Sequence, residues 1–360
     1  MAIGTAGGGF STRADLATGN WSPIIYSKQA QIALRKAAVA NAITNNSYFG
    51  EIANQGDVVR IQKEPDVTVN ALTRHESISV EKLADEDFSL TIDKANYFAF
   101  KMDDIEDQFA NVDYVSMAAD RAAYKMADAM DADILAYMSG HTTAGVKIAT
   151  SSGEAQSNLT GDDISGEYIA ANHLDMADIG HITTAASATT TGDSIPLASR
   201  LPGATTLSTT VTSPMTVVAR MARTMDVANV DSRGRWLVVD PVFMEILKDE
   251  DSRLLQADWG GSGLQNGLVL NNLHGFRVYV SNNLPSAGTG AGTSGSTAQD
   301  DNYGVIVAGQ EEAVASAEQI NKVENYRDPD SFADIVRGMH LYGRKILRPE
   351  ALVTARYNAA

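Results

Sequence analysis

The chain has 360 residues, 45 acidic against 28 basic side chains for a formal net charge of −17, and no cysteine. This length predicts two or three lobes, large enough to bury a core without disulfides. Such acidity disfavours sequence-specific binding of nucleic acid, which depends on lysine and arginine neutralising phosphates. The lack of cysteine excludes a disulfide framework and thiolate metal sites. The sequence predicts no secretory signal, and it has no run of about 18 apolar residues that would predict a membrane span.

The first segment, residues 1–45, is predicted to be an N-terminal arm with a short helix. Residues 1–26 are mostly glycine, alanine, serine and threonine, with few large apolar side chains. This composition is typical of a flexible arm. The residues that follow, 27–43, place apolar side chains on one side of a short helix.

Residues 46–101 are predicted to form an extended loop, a long β-hairpin. The segment contains 58–62 (VVRIQ), 76–83 (ESISVEKL) and 88–92 (FSLTI), which leads into 97–102 (YFAFKM), and apolar and polar residues alternate around Ile78 and Val80 and again at Phe88, Leu90 and Ile92. Alternation of this kind indicates strands with one face free. A long hairpin with a charged tip is expected not to bury itself within its own domain, so the pattern favours assembly with a neighbour over catalysis.

The hairpin carries charges of both signs, which allow two interpretations. One is a surface that pairs with an adjacent subunit and sets the register of the contact. The other is a solvated edge strand that its charges protect against aggregation. We favour the first, because exposed ion pairs contribute under about 1 kcal/mol each and would not maintain so long a projection. The residues assigned to the inter-subunit contact are Arg60, Lys63, Glu64, Arg74, Glu76, Glu81 and Lys82.

A long amphipathic helix is predicted within the next segment, 102–140. Asp113 is a suitable N-cap and Gly140 a suitable stop. The apolar residues between them fall three or four apart, which predicts a helix of about 27 residues and about 40 Å. Acidic residues just before it could bind a divalent cation, but stabilisation of a helix start by negative charge is the favoured explanation. These acidic residues are Asp103, Asp104, Glu106 and Asp107.

Residues 141–212 are rich in threonine, serine and glycine, which predicts an insertion or surface loops. The one helix expected within them spans 167–181. It contains a group of metal-binding side chain types, but zinc ligands are usually more closely spaced, so a solvated polar segment is the favoured interpretation. The group consists of His173, Asp175, Asp178 and His181.

Residues 213–325 are predicted to form a compact lobe of mixed short helices and strands. A serine N-cap followed by Pro214 opens a helix. Buried strands are expected at 235–241, 275–281 and 303–309, where apolar runs are bounded by turn residues.

The last segment, 326–360, returns to alternating apolar and polar residues and is predicted to supply closing strands, the final one beside the long helix. The glycine string at 290–295 matches a dinucleotide-binding fingerprint, but no strand leads into it and no apolar helix follows. A flexible loop is therefore the favoured interpretation. We predict neither an enzyme nor a cofactor.

The order of these elements resembles the major capsid proteins of tailed bacteriophages with the HK97-type fold. The resemblance is carried by three separated stretches in the expected order, namely 98–135, 234–247 (GRWLVVDPVFMEIL) and 343–353 (GRKILRPEALV). It implies an α+β fold in which an N-terminal arm and an extended loop precede a peripheral lobe and an axial lobe. The implied assignments are the spine helix of the peripheral lobe to 102–140, the axial lobe to 213–325 and the closing strands of the peripheral lobe to 326–360.

The resemblance also implies function and partners. The chain would be a shell subunit that assembles with copies of itself into hexamers and pentamers. The shell would enclose double-stranded DNA without sequence-specific binding, with no membrane. A separate scaffolding protein is predicted, because residues 1–45 are too short and loose for a built-in coiled scaffold. A portal protein and an optional decoration protein are further expected partners, with the protein located in the virion capsid after assembly in the host bacterial cytoplasm.

Two alternatives remain open at this point. One is an encapsulin-like shell with the same fold, which would enclose a protein cargo. The other, of a different class, is a soluble α+β enzyme that uses the group around His173 to bind a metal ion. Co-purifying cargo would favour the first alternative, and stoichiometric metal in a monomeric preparation would favour the second.

Overall fold

The architecture is known from a computed structural model. It describes residues 38–47, 58–62, 67–71, 87–104, 114–140, 212–248, 272–285 and 303–359, with single residues or short stretches at 74, 80, 82, 168–169, 172–174, 179 and 195–197. Within this part of the chain the structure combines three antiparallel or mixed sheets with four α-helices. None of these helices is both long enough and apolar enough to cross a membrane.

Strands β1 (Val58–Gln62) and β2 (Asp87–Thr91) pair with each other in an antiparallel hairpin. Their burial alternates along each strand, which confirms the strands predicted at 58–62 and 88–92. The expectation that the hairpin cannot bury itself in its own subunit is wrong for these two strands. Leu90 is fully buried in a small apolar cluster with Ala315 and Ala317 of the same chain.

A second sheet contains three strands in the order β10–β11–β3. Their bounds are β3 (Lys94–Asp103), β10 (Val314–Arg327) and β11 (Ala333–Ile346). The strand predicted at 97–102 is therefore confirmed, but it does not belong to the hairpin, because β3 pairs over its whole length with β11. This pairing lets the half-buried side chains of β3 pack against a long neighbouring strand.

The long helix, α2 (Tyr114–Ser139), follows as predicted. It ends at Gly140, whose φ of 66° lies in the left-handed region that favours glycine and stops a helix. The last ten residues of α2 are mostly buried, whereas its N-terminal half alternates between exposed and half-buried residues. A one-turn helix, α1 (Ala40–Ile43), packs against α2. It lies within 38–43, the described part of the helix predicted at 27–43.

The largest sheet has seven strands in the order β4–β12–β9–β6–β8–β7, with β5 also on β12. Their bounds are β4 (His173–Leu174), β5 (Ile195–Leu197), β6 (Arg235–Val239), β7 (Asn272–Leu273), β8 (Phe276–Val280), β9 (Tyr303–Gln310) and β12 (Leu352–Ala359). Two helices accompany it, α3 (Pro214–Val227) and α4 (Pro241–Lys248). This arrangement confirms the three predicted strands and the helix opening at Pro214, but only β6 and β9 are buried as expected, because in β8 only Phe276 is buried.

The seven-stranded sheet is covered by helices on both faces. In β6, Trp236 and Val238 join the core on the side of α2. Leu237 and Val239 of the same strand join the core on the side of α3 and α4. Successive side chains of a strand point to opposite faces, so the continuous apolar run of β6 places it between two cores.

The final strand corrects one prediction. We expect β12 beside the long helix, but it lies inside the seven-stranded sheet, antiparallel to β9 and parallel to β4 and β5. Its side chains explain this position, since Val353, Thr354 and Tyr357 are almost fully buried. The strands that lie against α2 are β11 and β3 of the three-stranded sheet and β9 of the seven-stranded sheet. The predicted limit between the axial lobe and the closing strands, at residues 325 and 326, falls inside β10. The assignment of these segments to lobes remains a prediction.

The segment 141–212 contributes two short strands, β4 and β5, to the edge of β12. The helix predicted at 167–181 is wrong where the structure describes that segment, because His173 and Leu174 form β4. Both side chains are buried against the sheet. Burial within a sheet edge has therefore overridden the local helical pattern.

A buried hydrogen bond joins β12 to the end of β6. The Tyr357 hydroxyl lies 2.6 Å from both carboxylate oxygens of Asp240 and donates to this carboxylate. Asp240 also accepts the backbone N–H of Phe243 at 3.2 Å, at the start of α4. Burial raises the pKa of Asp240, and the hydrogen bond from Tyr357 partly opposes that rise.

We expect Tyr357→Phe to destabilise the protein by about 1–3 kcal/mol at neutral pH, because it leaves a buried carboxylate without its hydroxyl donor. A raised carboxyl pKa lowers stability as the pH rises from the ordinary value to the raised value. The variant should raise this pKa further, so acidification through that window should reduce the loss. Denaturant unfolding from neutral to mildly acidic pH measures this, with the exposed Tyr97→Phe as control. An equal loss at every pH would contradict the prediction.

Close approach of two backbones requires a glycine in β11. A Cβ on Gly343 would lie 3.0 Å from Cα of Ile92 and closer still to the carbonyl oxygen of Thr91. Real Cβ atoms do not approach backbone this closely, so the base of the hairpin must lie directly on β11. Gly343 thereby fixes the position of β2 relative to the three-stranded sheet.

We expect Gly343→Ala to displace β2 and to destabilise the protein by roughly 1–3 kcal/mol, as overpacking does. Hydrogen exchange of the β2 amides, measured with thermal unfolding, reports both effects. Gly338→Ala in the same strand is the matched control, because its nearest neighbour is the movable ring of Phe98. Unchanged exchange in β2 of the Gly343 variant would show that the contact does not hold the hairpin.

Candidate assembly surface

The charged residues predicted to contact a neighbouring subunit are only partly within the described residues. Arg60 lies 3.7 Å from Asp87 across the hairpin, with both side chains mostly exposed. Arg74 and Lys82 are exposed. The remaining members of the predicted set, Lys63, Glu64, Glu76 and Glu81, lie outside the described residues. The described charges thus sit on an exposed surface, and their contact with a neighbour remains a prediction.

One face of the three-stranded sheet, here called the open face, carries a mixed pattern of apolar and charged side chains. Directly opposed residues of an antiparallel pair lie on the same face, so the registers of β3, β11 and β10 define three rows. These rows are Tyr97–Met339–Lys322, Ala99–Arg337–Glu324 and Lys101–Ile335–Tyr326. Seven of the nine side chains are exposed, which leaves the face open in the isolated subunit.

Large apolar side chains stand out on the open face. Tyr97 is 83% exposed, and Met339 beside it is 43% exposed. Tyr326, 41% exposed, lies under the guanidinium of Arg337 at 4.8 Å. A tyrosine presents a rigid apolar surface and a polar tip, which suits it to protein contacts.

Charged groups on the open face are bound to each other. Arg337 lies 2.8 Å from Glu324 of the neighbouring strand, and Lys322 also pairs with Glu324. Hydrogen bonds from Lys322 and Arg337 lower the pKa of Glu324 to about 2. These three side chains thus neutralise one another in a solvated network. The exposed apolar side chains are the part of the open face that would gain free energy by contact with another surface.

The turn between β10 and β11 is fixed by polar contacts and presents an exposed ring. Lys101 of β3 lies 2.6 Å from Asp328 and also donates to Ser331, and these contacts hold the pKa of Asp328 well below its usual range. The carbonyl of Phe332 accepts the N–H of Asp104 at 3.1 Å. The Phe332 side chain is nevertheless 80% exposed, so the turn holds an aromatic ring out in solvent.

A groove of ≈ 360 Å³ separates β3 from the exposed part of α2. Asn96 and Phe98 line it on the side of the sheet, and Ala122, Met126 and Ala129 line it on the side of the helix. The alanines leave room between the two elements because they carry only a methyl group. The groove is open, and Tyr97 lies at its edge as well as on the open face.

The three-stranded sheet is attached to α2 by a buried ion pair. Arg344 of β11 lies 2.8 Å from the Asp133 carboxylate and 4.5 Å above the ring of Tyr137. The Tyr342 hydroxyl donates to the same carboxylate at 3.0 Å. Burial, together with the nearby negative charge of Asp133, raises the pKa of Tyr342. This pair sets the position of the open face relative to the rest of the subunit.

Of the side chains considered for metal binding, His173, Asp103 and Asp104 lie within the described residues, and Asp103 is exposed at the end of β3. The ring nitrogen Nδ1 of His173 lies 2.5 Å from the Thr354 hydroxyl inside the sheet, and Asp104 is paired with Arg327. Among the residues that the structure describes, no three histidine or carboxylate side chains are grouped to hold a metal ion. The other candidates, Asp175, Asp178, His181, Glu106 and Asp107, lie outside the described residues.

The hairpin charges remain the predicted contact, and the sequence patterns did not single out the exposed apolar residues of the open face. A signal was available, because β3 alternates strictly and Tyr97 lies on the opposite face from Phe98 and Phe100. Which of the two faces is left open could not be inferred, since this depends on the partner strand. The exposure of Phe332 could not be predicted from the sequence, because a single aromatic residue in a turn belongs to no periodic pattern.

Comparison with known proteins shows which family and fold the chain shares. Residues 176–355, half of the chain, match the model of a family described as phage capsid protein. A search of curated proteins found no significant match. Three similar solved structures are those of Mycobacterium phage Che8, the capsid of cyanophage P-SCSP1u and the mature capsid of bacteriophage PhiM1.

These structures resemble the chain over almost its whole length. Che8 has a TM-score of 0.62 at 24% identity, over 94% of this chain and 98% of that one. P-SCSP1u has 0.61 at 15% identity, over 97% and 99%. PhiM1 has 0.60 at 16% identity, over 96% and 96%. At these identities the likeness shows the fold, and it confirms the predicted α+β fold of the HK97 type.

Lys101→Met should loosen the turn between β10 and β11 with little effect on global stability, because the contacts it removes are exposed. Hydrogen exchange of residues 328–333 should become faster. Lys322→Met, in the same sheet but away from the turn, is the matched control and should leave that exchange unchanged. Because the pKa of Asp328 is lowered, the wild-type contact should persist on acidification below the usual aspartate range and be lost only as the pH falls through the lowered value. Equal exchange in both variants would contradict the role of Lys101.

Proposed function

Since the chain belongs to the phage capsid protein family, we propose that it is the major subunit of a closed icosahedral shell built from hexamers and pentamers. The observation that carries this proposal is the open face of the three-stranded sheet. Tyr97 and Met339 lie side by side there and are exposed in the single subunit. Contact with a second copy would remove this apolar surface from water.

The hairpin is the element we propose to reach the neighbouring copy. Its base is fixed on the subunit through Leu90 and the approach to Gly343. The residues between its strands, 63–86, carry most of the predicted contact charges. Pairing of these charges with the network around Arg337 would set the register, while the apolar residues supply most of the association free energy.

The net charge and the sequence support proposals for what the shell encloses and for the proteins that assist its assembly. The net charge of −17 suits a wall along which densely packed double-stranded DNA can move without adhering. We propose a separate scaffolding protein and a portal protein as partners, a decoration protein as an optional one, and the host bacterial cytoplasm as the place of assembly. The contact residues Arg60, Lys63, Glu64, Arg74, Glu76, Glu81 and Lys82 remain part of this proposal.

The two alternatives are not favoured. The matching family is one of phage capsid proteins, and two of the similar structures named above are described as phage capsids. Membership of this family indicates a structural protein rather than an enzyme. An encapsulin-like shell shares the fold, and cargo enzyme in purified particles in place of DNA-packaging partners would distinguish it.

Tyr97→Ser should impair shell assembly while leaving the subunit folded. The side chain is mostly exposed, so its removal should change stability by no more than about 0.5 kcal/mol. The test is to co-express the chain with its genomic neighbours and to count closed particles by negative-stain microscopy. Tyr97→Phe, which keeps the ring, is the matched control and should assemble normally.

Two outcomes would contradict the proposal. If the wild-type chain remains monomeric with its helpers present, it is not a shell subunit. If Tyr97→Ser assembles as well as Tyr97→Phe, the open face is not the contact. Expression of the chain alone tests the scaffolding partner, because regular shells of one size without any helper would show that none is needed.

A further inference from the structure

A buried carboxylate on α2 contacts two separate parts of the chain. Asp131 is 2% exposed. Its Oδ1 accepts the backbone N–H groups of Val39 and Ala40, each at 2.7 Å. Its Oδ2 accepts the side-chain amide of Asn283, also at 2.7 Å. A charge this deeply buried requires such donors, because an unpaired one would be strongly disfavoured.

On one side, Asp131 supplies the cap that α1 lacks. The residue preceding α1 is Val39, whose side chain cannot accept a hydrogen bond. The first amides of a helix have no partner within it, and here a carboxylate 91 and 92 residues away in sequence accepts two of them. Val39, Ala40 and Ile43 are buried in the same core as Ile134 of α2. The start of α1 is therefore held by the two hydrogen bonds to Asp131 and by apolar packing.

On the other side, Asp131 holds the loop that follows β8, residues 281–285. Asn283 is itself buried, and its amide nitrogen donates to Asp128 at 2.9 Å as well as to Asp131. Both amide hydrogens are therefore used. Leu284, the next residue, is buried in the core that contains Val39. The loop and the N-terminal segment thus meet at a single side chain.

We infer that Asp131 is a positioning residue that couples the segment 38–43 to the loop 281–285. Loss of either partner leaves one carboxylate oxygen buried and unpaired, which weakens the hold on the other partner. Such coupling is reciprocal, because each contact changes the free energy of the other by the same amount. The inference concerns the single subunit and does not depend on the proposed function.

The position of Asp131 gives the coupling a direct use. Residues 1–37 precede the segment, and the glycine-, serine- and threonine-rich stretch 286–299 follows the loop. Asp131 therefore joins the first described residues after 1–37 to the last described residues before 286–299. In a shell subunit, the contact would report the state of the N-terminal segment to an edge of the seven-stranded sheet.

Asn283→Ala tests the coupling, because it removes the donor to Oδ2 and leaves the contacts of Oδ1 intact. We expect hydrogen exchange at the amides of Val39 and Ala40 to accelerate about tenfold, in line with the weakening of one buried hydrogen bond. The full-length chain is used, with exchange measured by mass spectrometry below its melting temperature. Faster exchange in 281–285 with no change in 38–43 would overturn the inference.

The control variant is Asp128→Asn, which alters the second acceptor of Asn283 but touches neither Val39 nor Ala40. It should leave exchange in 38–43 unchanged. If it accelerates that exchange as much as Asn283→Ala does, the effect arises from general loosening of α2 and the inference fails. Asp131→Asn should accelerate exchange in both segments, and an effect on only one of them would also contradict the coupling.

Discussion

The buried ion pair between Asp133 and Arg344 is the interaction on which the arrangement of the subunit depends. The Arg344 side chain is only 2% exposed and is paired at 2.8 Å. Removing one partner of such a pair leaves a buried charge and is strongly destabilising. Val314 and Ile346 of the three-stranded sheet also lie in the core that α2 shares with the seven-stranded sheet. The ion pair and this core together position the three-stranded sheet relative to the rest of the chain, and with it the open face, the turn that carries Phe332 and the base of the hairpin.

Local structure was largely predictable because it depends on neighbouring residues. The alternation in β1 and β2, the 26-residue helix ending at Gly140 and the apolar run of β6 each carry a pattern that one element imposes on its own sequence. The match to a known order of elements was also correct. Local patterns fix the type of an element, but they do not fix its partner.

The errors follow from that distinction. β3 pairs with β11, about 240 residues further along the chain, and no feature of 97–102 distinguishes this partner from β2. Likewise, β12 alternates enough to suit either sheet, and only its almost complete burial shows that it is central. His173 was expected in a helix and lies in a sheet edge, because the partner strand that buries it comes 180 residues later. Non-local pairing therefore decided each case.

The relative strength of charged and apolar contacts argues for the open face over the hairpin charges as the main source of association free energy. An exposed ion pair contributes at most about 1 kcal/mol, and salt weakens it further. Apolar surface contributes about 25 cal/mol per Å² removed from water, and an aromatic side chain can bury 150–250 Å². Tyr97 of the open face and Phe332 of the adjoining turn, both at least 80% exposed, thus have several kcal/mol to gain between them. The charges, of both signs and solvated, are better suited to selecting the correct register than to holding the contact once it has formed.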